Sequence, residues 1–293
     1  MKNVIGFYPG CTLKGSSEEY YKSAKAVLKV LGYELREIEG WICCGATSAH
    51  SLNKDLSIAL PAYNLELARR EGYSYIAVAC AACFNRLKTA NYYYRNKPSI
   101  RDRINDKIKI DYNGEVEVKH LLEILRDEIT VSVIKEHIKI ELKELNVAPY
   151  YGCLLLRPPK IMEFDNVENP SIMEEVLGVT GAKIVDFPMK IECCGAGLTM
   201  GAKRSVTRLV GKIVESSSMY GADLIAVACP ECHLNLDMRQ FDARKYYGFN
   251  IKIPILFFTQ VLGLALGLTV KELGIEKILN DPLMVLRQKG IVV

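Results

Sequence analysis

Net charge is nearly absent from this chain: 38 Lys and Arg stand against 34 Asp and Glu in 293 residues, leaving +4. So small and scattered a balance argues against nucleic acid as a partner, although it suits an anionic small molecule. Long apolar runs are scarce too. The longest, Ile253 to Val270, is interrupted by Pro254, Thr259, Gln260, Gly263 and Gly267 and flanked by Lys252 and Lys271. It reads as a buried helix and not as a membrane span. No basic, apolar, small-residue leader opens the sequence. Met1-Lys2-Asn3 runs directly into the short apolar stretch Val4 to Tyr8, which predicts a cytoplasmic, reducing compartment. No Gly/Ser-rich or Pro-rich linker appears, and Asp and Glu show no pairing that points to acid–base catalysis. With 49% hydrophobic residues, a core is available that needs no disulfide staples.

What the chain does have is ten cysteines in two copies of one pattern. The first copy is Cys11, then Cys43-Cys44-Gly45, then Cys80-x-x-Cys83; the second is Cys153, then Cys193-Cys194-Gly195, then Cys229-x-x-Cys232. The gaps are 31 and 35 residues in the first copy and 39 and 34 in the second. In a reducing compartment, cysteines so patterned read as metal-binding or catalytic. The repeat extends beyond cysteine. Ile76-Ala77-Val78-Ala79-Cys80 recurs as Ile225-Ala226-Val227-Ala228-Cys229, and Tyr8-Pro9-Gly10-Cys11 is echoed by Tyr150-Tyr151-Gly152-Cys153. An offset of 142 to 150 residues is too long for a solenoid. It marks an internal duplication with units at 1–145 and 146–293.

Periodicity predicts alternating strands and helices in both units. In the first, Val4 to Tyr8, Tyr33 to Ile38 and Ile76 to Ala79 read as strands. Ser17 to Leu31, Pro61 to Arg70 (proline at the first helical position) and a helix opening at Val118 to Leu125 separate them. In the second the series is Val147 to Tyr151, Ile172 to Leu177, Lys183 to Phe187, Ser205 to Ser217, Ile225 to Ala228 and Ile255 to Leu266. Val131 to Leu145 reads as a charged helix joining the units. The expected fold is α/β: two pseudo-symmetric, Rossmann-like lobes with parallel sheets, packed together. Ligands of such sheets sit beyond the carboxyl ends of the strands. Cys11, Cys80, Cys153 and Cys229 follow strand ends, so each lobe should gather its five thiols at one sheet edge.

Thiolates select zinc, copper(I) or iron–sulfur clusters. Adjacent cysteines diverge, which suits two irons of a polynuclear centre better than one zinc. Gly45 and Gly195 permit a tight turn bringing N–H groups to sulfur, and a helix starting there would aim its positive end at an anionic cluster. Five thiols exceed the four that zinc or an ordinary cubane takes. A non-catalytic scaffold with two zinc sites is the competing class.

Other candidates carry less. Arg157, Lys160, Lys203 and Arg204 lie near the cysteines and could grip anionic groups, though solvated surface charge is the simpler account of each. His50 and His233 could protonate thiolate products, but packing or surface roles are commoner. His120 stands where the second copy has Phe257, which favours a structural role. Tyr92-Tyr93-Tyr94 could dock a partner or simply pack. Gly195-x-Gly197-x-x-x-Gly201 mimics a dinucleotide loop but follows cysteines and not an apolar strand.

The two five-cysteine sets resemble the duplicated CCG domain found in the B component of heterodisulfide reductase and in related components of succinate, fumarate, glycolate and lactate oxidoreductases. Phe7-Tyr8-Pro9-Gly10-Cys11-Thr12-Leu13, Gly152-Cys153-Leu154-Leu155-Leu156-Arg157-Pro158-Pro159 and Phe258-Thr259-Gln260-Val261-Leu262-Gly263 are similar to the methanogen, archaeal branch. The resemblance implies two noncubane [4Fe–4S] clusters, one on Cys11, Cys43, Cys44, Cys80 and Cys83, the other on Cys153, Cys193, Cys194, Cys229 and Cys232. It implies a substrate, the mixed disulfide of coenzyme M and coenzyme B, cleaved between the clusters in methanogenesis. It also implies partners within heterodisulfide reductase: a small ferredoxin-like iron–sulfur protein, a flavoprotein and, beyond them, a hydrogenase. The second copy's longer first gap is expected to be a loop at Leu156 to Pro170. The alternative within the family is an electron-transfer subunit of a quinone-linked succinate or 2-hydroxy-acid dehydrogenase.

Overall fold

The computed structural model describes residues 3–46 and 49–291, apart from the side chain of His50. Met1 and Lys2, part of the leader reading, lie outside the described residues. Among the described residues eight strands form: β1 (Asn3–Tyr8), β2 (Tyr33–Glu37), β3 (Tyr75–Val78), β4 (Glu117–His120), β5 (Asn146–Tyr150), β6 (Lys183–Ile184), β7 (Leu224–Val227) and β8 (Ile255–Phe257). They make two parallel four-stranded sheets of the same order, β2-β1-β3-β4 and β6-β5-β7-β8. The expected duplicated α/β architecture is therefore present. Every residue of β7, and all of β3 after Tyr75, is buried, as central parallel strands covered on both faces must be.

In each sheet the chain steps outward from its first strand, then returns past it to the third and fourth. The direction of winding reverses between β1 and β3, and again between β5 and β7. In open α/β sheets that reversal opens a crevice at the carboxyl ends. The register levels those ends: Tyr8 pairs with Val78, and Tyr150 with Val227. The segments carrying Cys11 and Cys80, and those carrying Cys153 and Cys229, so leave their sheets side by side.

Five local expectations are corrected. Pro61 does not open its helix but lies inside Lys54–Arg70, because Asn53 caps it well before the proline. The Asn53 Oδ1 accepts from the N–H groups of Asp55 and Leu56 at 2.8 and 3.1 Å, and the proline forgoes one intrahelical bond. Val118 to His120 is strand, not helix, held by β3; the helix begins at Leu121. Likewise Ile253 to Val270 is no single helix. Ile255–Phe257 is strand, Phe258–Ala265 is helical, and a separate helix opens at Val270. The joining helix ends at Glu136, because the N–H groups of Lys139 and Ile140 turn instead to the Ala265 carbonyl at 2.8 and 3.0 Å. β6 also stops at Ile184, where Pro149 offers no N–H to extend the ladder. Leu156 to Pro170 is a loop except for one turn, Pro159–Met162.

The two sheets share one continuous core. Helix Glu18–Val30 lies against Phe258–Ala265, with the Tyr20 ring stacked on Phe257 at 4.0 Å and edge-on to Phe258 at 6.1 Å. The Ser23 and Thr259 hydroxyls pair at 2.7 Å within this contact. Tyr20 is wholly buried, so Tyr20→Ala should lower stability by about 3–5 kcal/mol. An unchanged midpoint in anaerobic urea unfolding would show that this packing does not hold the two sheets together.

Candidate metal centres

Each thiol set is assembled from three loops at one sheet edge. Cys11 follows β1, the Cys43-Cys44 pair follows β2, and Cys80 and Cys83 follow β3; the second copy repeats this after β5, β6 and β7. Cys80 and Cys229 are the N-cap residues of helices Ala81–Asn96 and Pro230–Met238. The positive helix ends that favour anions are therefore here, not after the Cys-Cys-Gly turns, where only a short helix (Ala49–Leu52) or a 3₁₀ turn (Ala196–Leu198) forms. The turns do what the glycines predict: at φ +75° and +79°, Gly45 and Gly195 aim their N–H groups at the Cys43 and Cys193 sulfurs, 3.4 and 3.3 Å away.

The sulfurs come in close pairs. Cys44 and Cys83 Sγ lie 3.3 Å apart, Cys194 and Cys232 Sγ 3.4 Å, and Cys11 and Cys43 Sγ 4.0 Å. Cys153 meets Cys193, and Cys80 meets Cys229 across the two lobes. This last contact joins the two sets into one sulfur-rich seam. Cys11, Cys43 and Cys193 are exposed, Cys153 is half-buried and the rest are buried. Among the described residues no three Cys, His, Asp or Glu side chains are set to hold a single metal ion.

Crowding divides the thiols. Cys44 is lowered to about 3 by hydrogen bonds from Cys43 and Cys83, and Cys193 to about 6 by the bond from Cys153. Cys229 is pulled well below the usual thiol range by Cys232 and Cys80. Their donors, Cys43, Cys83, Cys153, Cys80 and Cys232, are pushed up because each gives its proton to a neighbouring sulfur and most are buried as well. Without a cation only some of the set can ionise; a bound metal centre removes that conflict. The donor set fits a thiophilic, polynuclear group.

Several supporting residues escaped the sequence reading. Tyr8 Oη donates to the Ile42 carbonyl at 2.8 Å and Tyr150 Oη to the Glu192 carbonyl at 2.7 Å, so each lobe props its Cys-Cys loop from its first strand. The signal was present in the paired Tyr8 and Tyr150 of the repeat. Gly10 and Gly152, at φ +70° and +66°, face the CxxC sulfurs. A Cβ there would stand 2.9 Å from Cys83 Sγ and 3.2 Å from Cys232 Sγ. Asn235 donates to the Cys194 carbonyl at 2.6 Å, and Thr12, next to Cys11, donates to Glu231 of the opposite CxxC at 3.0 Å.

Among the weaker candidates, Arg157 leans on the Ile191 carbonyl and Glu168, Lys203 pairs with Asp242 at 3.0 Å, and Lys160 and Arg204 are exposed. His233 is buried, stacked on Phe257 at 4.2 Å, with Nε2 on the Ile255 carbonyl; it packs. The side chain of His50 lies outside the described residues. Tyr94 is buried and bonded to Asn105, so that tyrosine packs.

His120 bridges the lobes. Its Nδ1 accepts from the Leu122 N–H at 3.2 Å, which leaves the proton on Nε2. That N–H is shared between the Ala79 carbonyl at 2.9 Å and the Ala228 carbonyl at 3.1 Å, the residues just before Cys80 and Cys229. Burial lowers its pKa to about 4. His120→Phe, the residue of the second copy, should leave both carbonyls short of a donor and cost about 1–3 kcal/mol. Between about pH 6.5 and 4 the unfolded chain takes up a proton here that the folded chain refuses. Stability should fall as pH falls through that window, and this component should vanish in the variant. Unfolding free energies across that range check both; identical curves would refute the bridge.

Comparison with known proteins places this geometry. The CCG cysteine-rich domain matches residues 5–88 and again 147–237. The chain is 34% identical over 279 residues to the 8-methylmenaquinol:fumarate reductase membrane anchor subunit of Wolinella succinogenes, covering 94% of this chain and 96% of that one. It is 34% identical over 287 residues to the B component of the ferredoxin/F420H2-dependent CoB–CoM heterodisulfide reductase of Methanosarcina acetivorans, covering 93% and 92%. A crystal structure of a hypothetical protein from Helicobacter pylori shares the fold, with TM-score 0.77 and 18% identity, over 96% of this chain and 52% of that one. The chain belongs to the CCG cysteine-rich domain family and carries the domain twice.

Proposed function

We propose that this chain is the iron–sulfur subunit of a reductase and that residues 1–145 and 146–293 each hold one noncubane [4Fe–4S] cluster. Cys11, Cys43, Cys44, Cys80 and Cys83 hold the first; Cys153, Cys193, Cys194, Cys229 and Cys232 hold the second. The observation that carries this reading is the His120 N–H shared by the carbonyls of Ala79 and Ala228, the residues just before Cys80 and Cys229, which sets two five-thiol groups side by side. The substrate is the coenzyme M–coenzyme B disulfide, which two electrons and two protons convert to two thiols. When bound, the clusters supply the electrons and iron sites with affinity for sulfur. The protein's own part is to hold the two sets adjacent through His120 and Tyr20, to keep the inner sulfurs buried, and to leave Cys11, Cys43 and Cys193 open to a visiting molecule. All ten cysteines being engaged, none remains for thiol–disulfide exchange. Electrons enter from a ferredoxin-like iron–sulfur protein of the same complex, fed by a flavoprotein and a hydrogenase beyond.

A second reading has its own support: the relative named as a fumarate reductase membrane anchor is as similar as the heterodisulfide reductase relative. In that case the chain would pass electrons between a quinol and a dehydrogenase. No helix among the described residues is long and apolar enough to cross a membrane.

Anaerobically purified protein should contain about eight irons with matching sulfide. It should oxidise reduced viologen when the heterodisulfide is added. About two zincs instead would leave a scaffold. Full iron without turnover, but electron transfer to a fumarate reductase flavoprotein, would select the second reading. Cys44→Ser and Cys194→Ser should each lose the paramagnetic cluster signal together with turnover.

A further inference from the structure

The duplication supplies an internal control, because corresponding faces of the two lobes can be compared. Helices Lys54–Arg70 and Pro98–Ile108 flank the first thiol set. There the basic residues other than Lys54 are neutralised in place: Asp55 takes Arg103 and Lys107, both at 2.7 Å, Asp102 takes Arg101 at 2.9 Å, Asp106 takes Lys109 at 2.9 Å, and Glu66 takes Arg69 and Arg70, both at 2.7 Å. The second lobe's counterparts are Lys203–Met219 and Gln240–Tyr247. Segments 198–220 and 238–249 hold more basic than acidic residues, with Glu215 and Asp242 the only acids. Of the basic ones, Arg204, Arg208, Lys212 and Lys245 have no acid within ion-pair distance among the described residues.

Beside this uncompensated charge lies the larger exposed apolar area. Met200 is 96% exposed, Phe241 63% and Leu198 60%, with Met238 and Tyr246 also out in solvent. The face is one piece and is wired to the second thiol set. The Tyr247 hydroxyl donates to the Arg204 carbonyl at 2.9 Å and the Phe249 ring seats on Gly211. The Thr199 hydroxyl donates to Asn235 at 2.9 Å, and Asn235 in turn holds the Cys194 carbonyl. Met, aromatic and Arg residues around an apolar centre with a charged rim are the composition of a protein interface. The exposed side of Lys203–Met219 is basic and polar, with Leu209 its one partly exposed aliphatic residue before Met219, so it lacks the apolar stripe that would seat in a lipid surface.

We infer that this face of the second lobe docks an acidic, electron-carrying protein, which delivers its electrons to the Cys193–Cys194 side of the seam. The inference rests on the proposed reading of the chain as an iron–sulfur subunit, and it selects which of two near-equivalent lobes meets the donor. Opposite charge brings the donor to the face quickly and in register, and the apolar centre holds it over the turn that follows Gly195.

The test uses the full chain with its metal content restored, and a purified acidic two-cluster ferredoxin as donor. Reduction of the protein by reduced ferredoxin should slow as salt rises. R208E/K212E/K245E should slow it by about tenfold at low salt and abolish the salt dependence. Iron content and viologen-driven reduction should stay unchanged. M200S/F241S should slow it several-fold, and the first-lobe control R101E/R103E/K107E should leave it nearly as in the parent. Unchanged rates in the second-lobe variants would overturn the inference, as would equal slowing in the first-lobe control. So would charge-dependent binding to phosphatidylglycerol vesicles with no change in the ferredoxin rate. Failure of viologen-driven disulfide reduction in the parent protein would instead refute the proposed substrate, and the ferredoxin rates would still decide the docking face.

Discussion

Ten sulfurs drawn into one seam cannot all be thiolates unless positive charge sits among them. The crowding already splits them into acceptors such as Cys44, Cys193 and Cys229 and donors such as Cys43, Cys153 and Cys80. The surrounding structure maintains this unstable arrangement. Tyr8 and Tyr150 prop the Cys-Cys loops, Gly10 and Gly152 vacate the volume a Cβ would claim, and helix N-termini point inward at Cys80 and Cys229. A fold held so far from the comfortable state of its own side chains is built for a cationic inorganic guest.

Duplication solves the placement. A parallel sheet that reverses its winding between its first and third strands opens a crevice at their carboxyl ends. Repeating the sheet and packing the copies through Tyr20, Phe257 and His120 turns the two crevices toward each other. His120 works at the join, since one N–H serves the carbonyls preceding both inner cysteines. Phe257 in the equivalent place of the second copy stacks on Tyr20 instead. One side of the pseudo-symmetry gives the polar bridge and the other the aromatic wall.

Much was legible in the chain. Strands β1, β3, β5 and β7 announce themselves as short apolar runs and β2 by its alternation, and the recurring Ile-Ala-Val-Ala-Cys makes the two lobes visible without coordinates. Two of the errors share one cause. Val118 to His120 and Ile255 to Phe257 run without a turn signal into the helices that follow, so periodicity cannot mark where strand passes into helix; only pairing with β3 and β7 does. Pro61 looked like a helix start because proline is welcome there, but Asn53 and its bonds to Asp55 and Leu56 had already begun the helix.

Sequence alone determined the twice-repeated thiol pattern, the duplication and the α/β class, because thiol spacing and hydrophobic period are local properties of a chain. Tertiary structure decided that Cys80 meets Cys229, that His120 is a bridge while His233 is packing, and that the helices flanking the second thiol set carry most of their basic residues without an acid partner while those flanking the first do not. These facts depend on which distant segments come to lie together. No spacing along the chain encodes them, since they arise only when the carboxyl edges of two separately wound sheets are packed face to face.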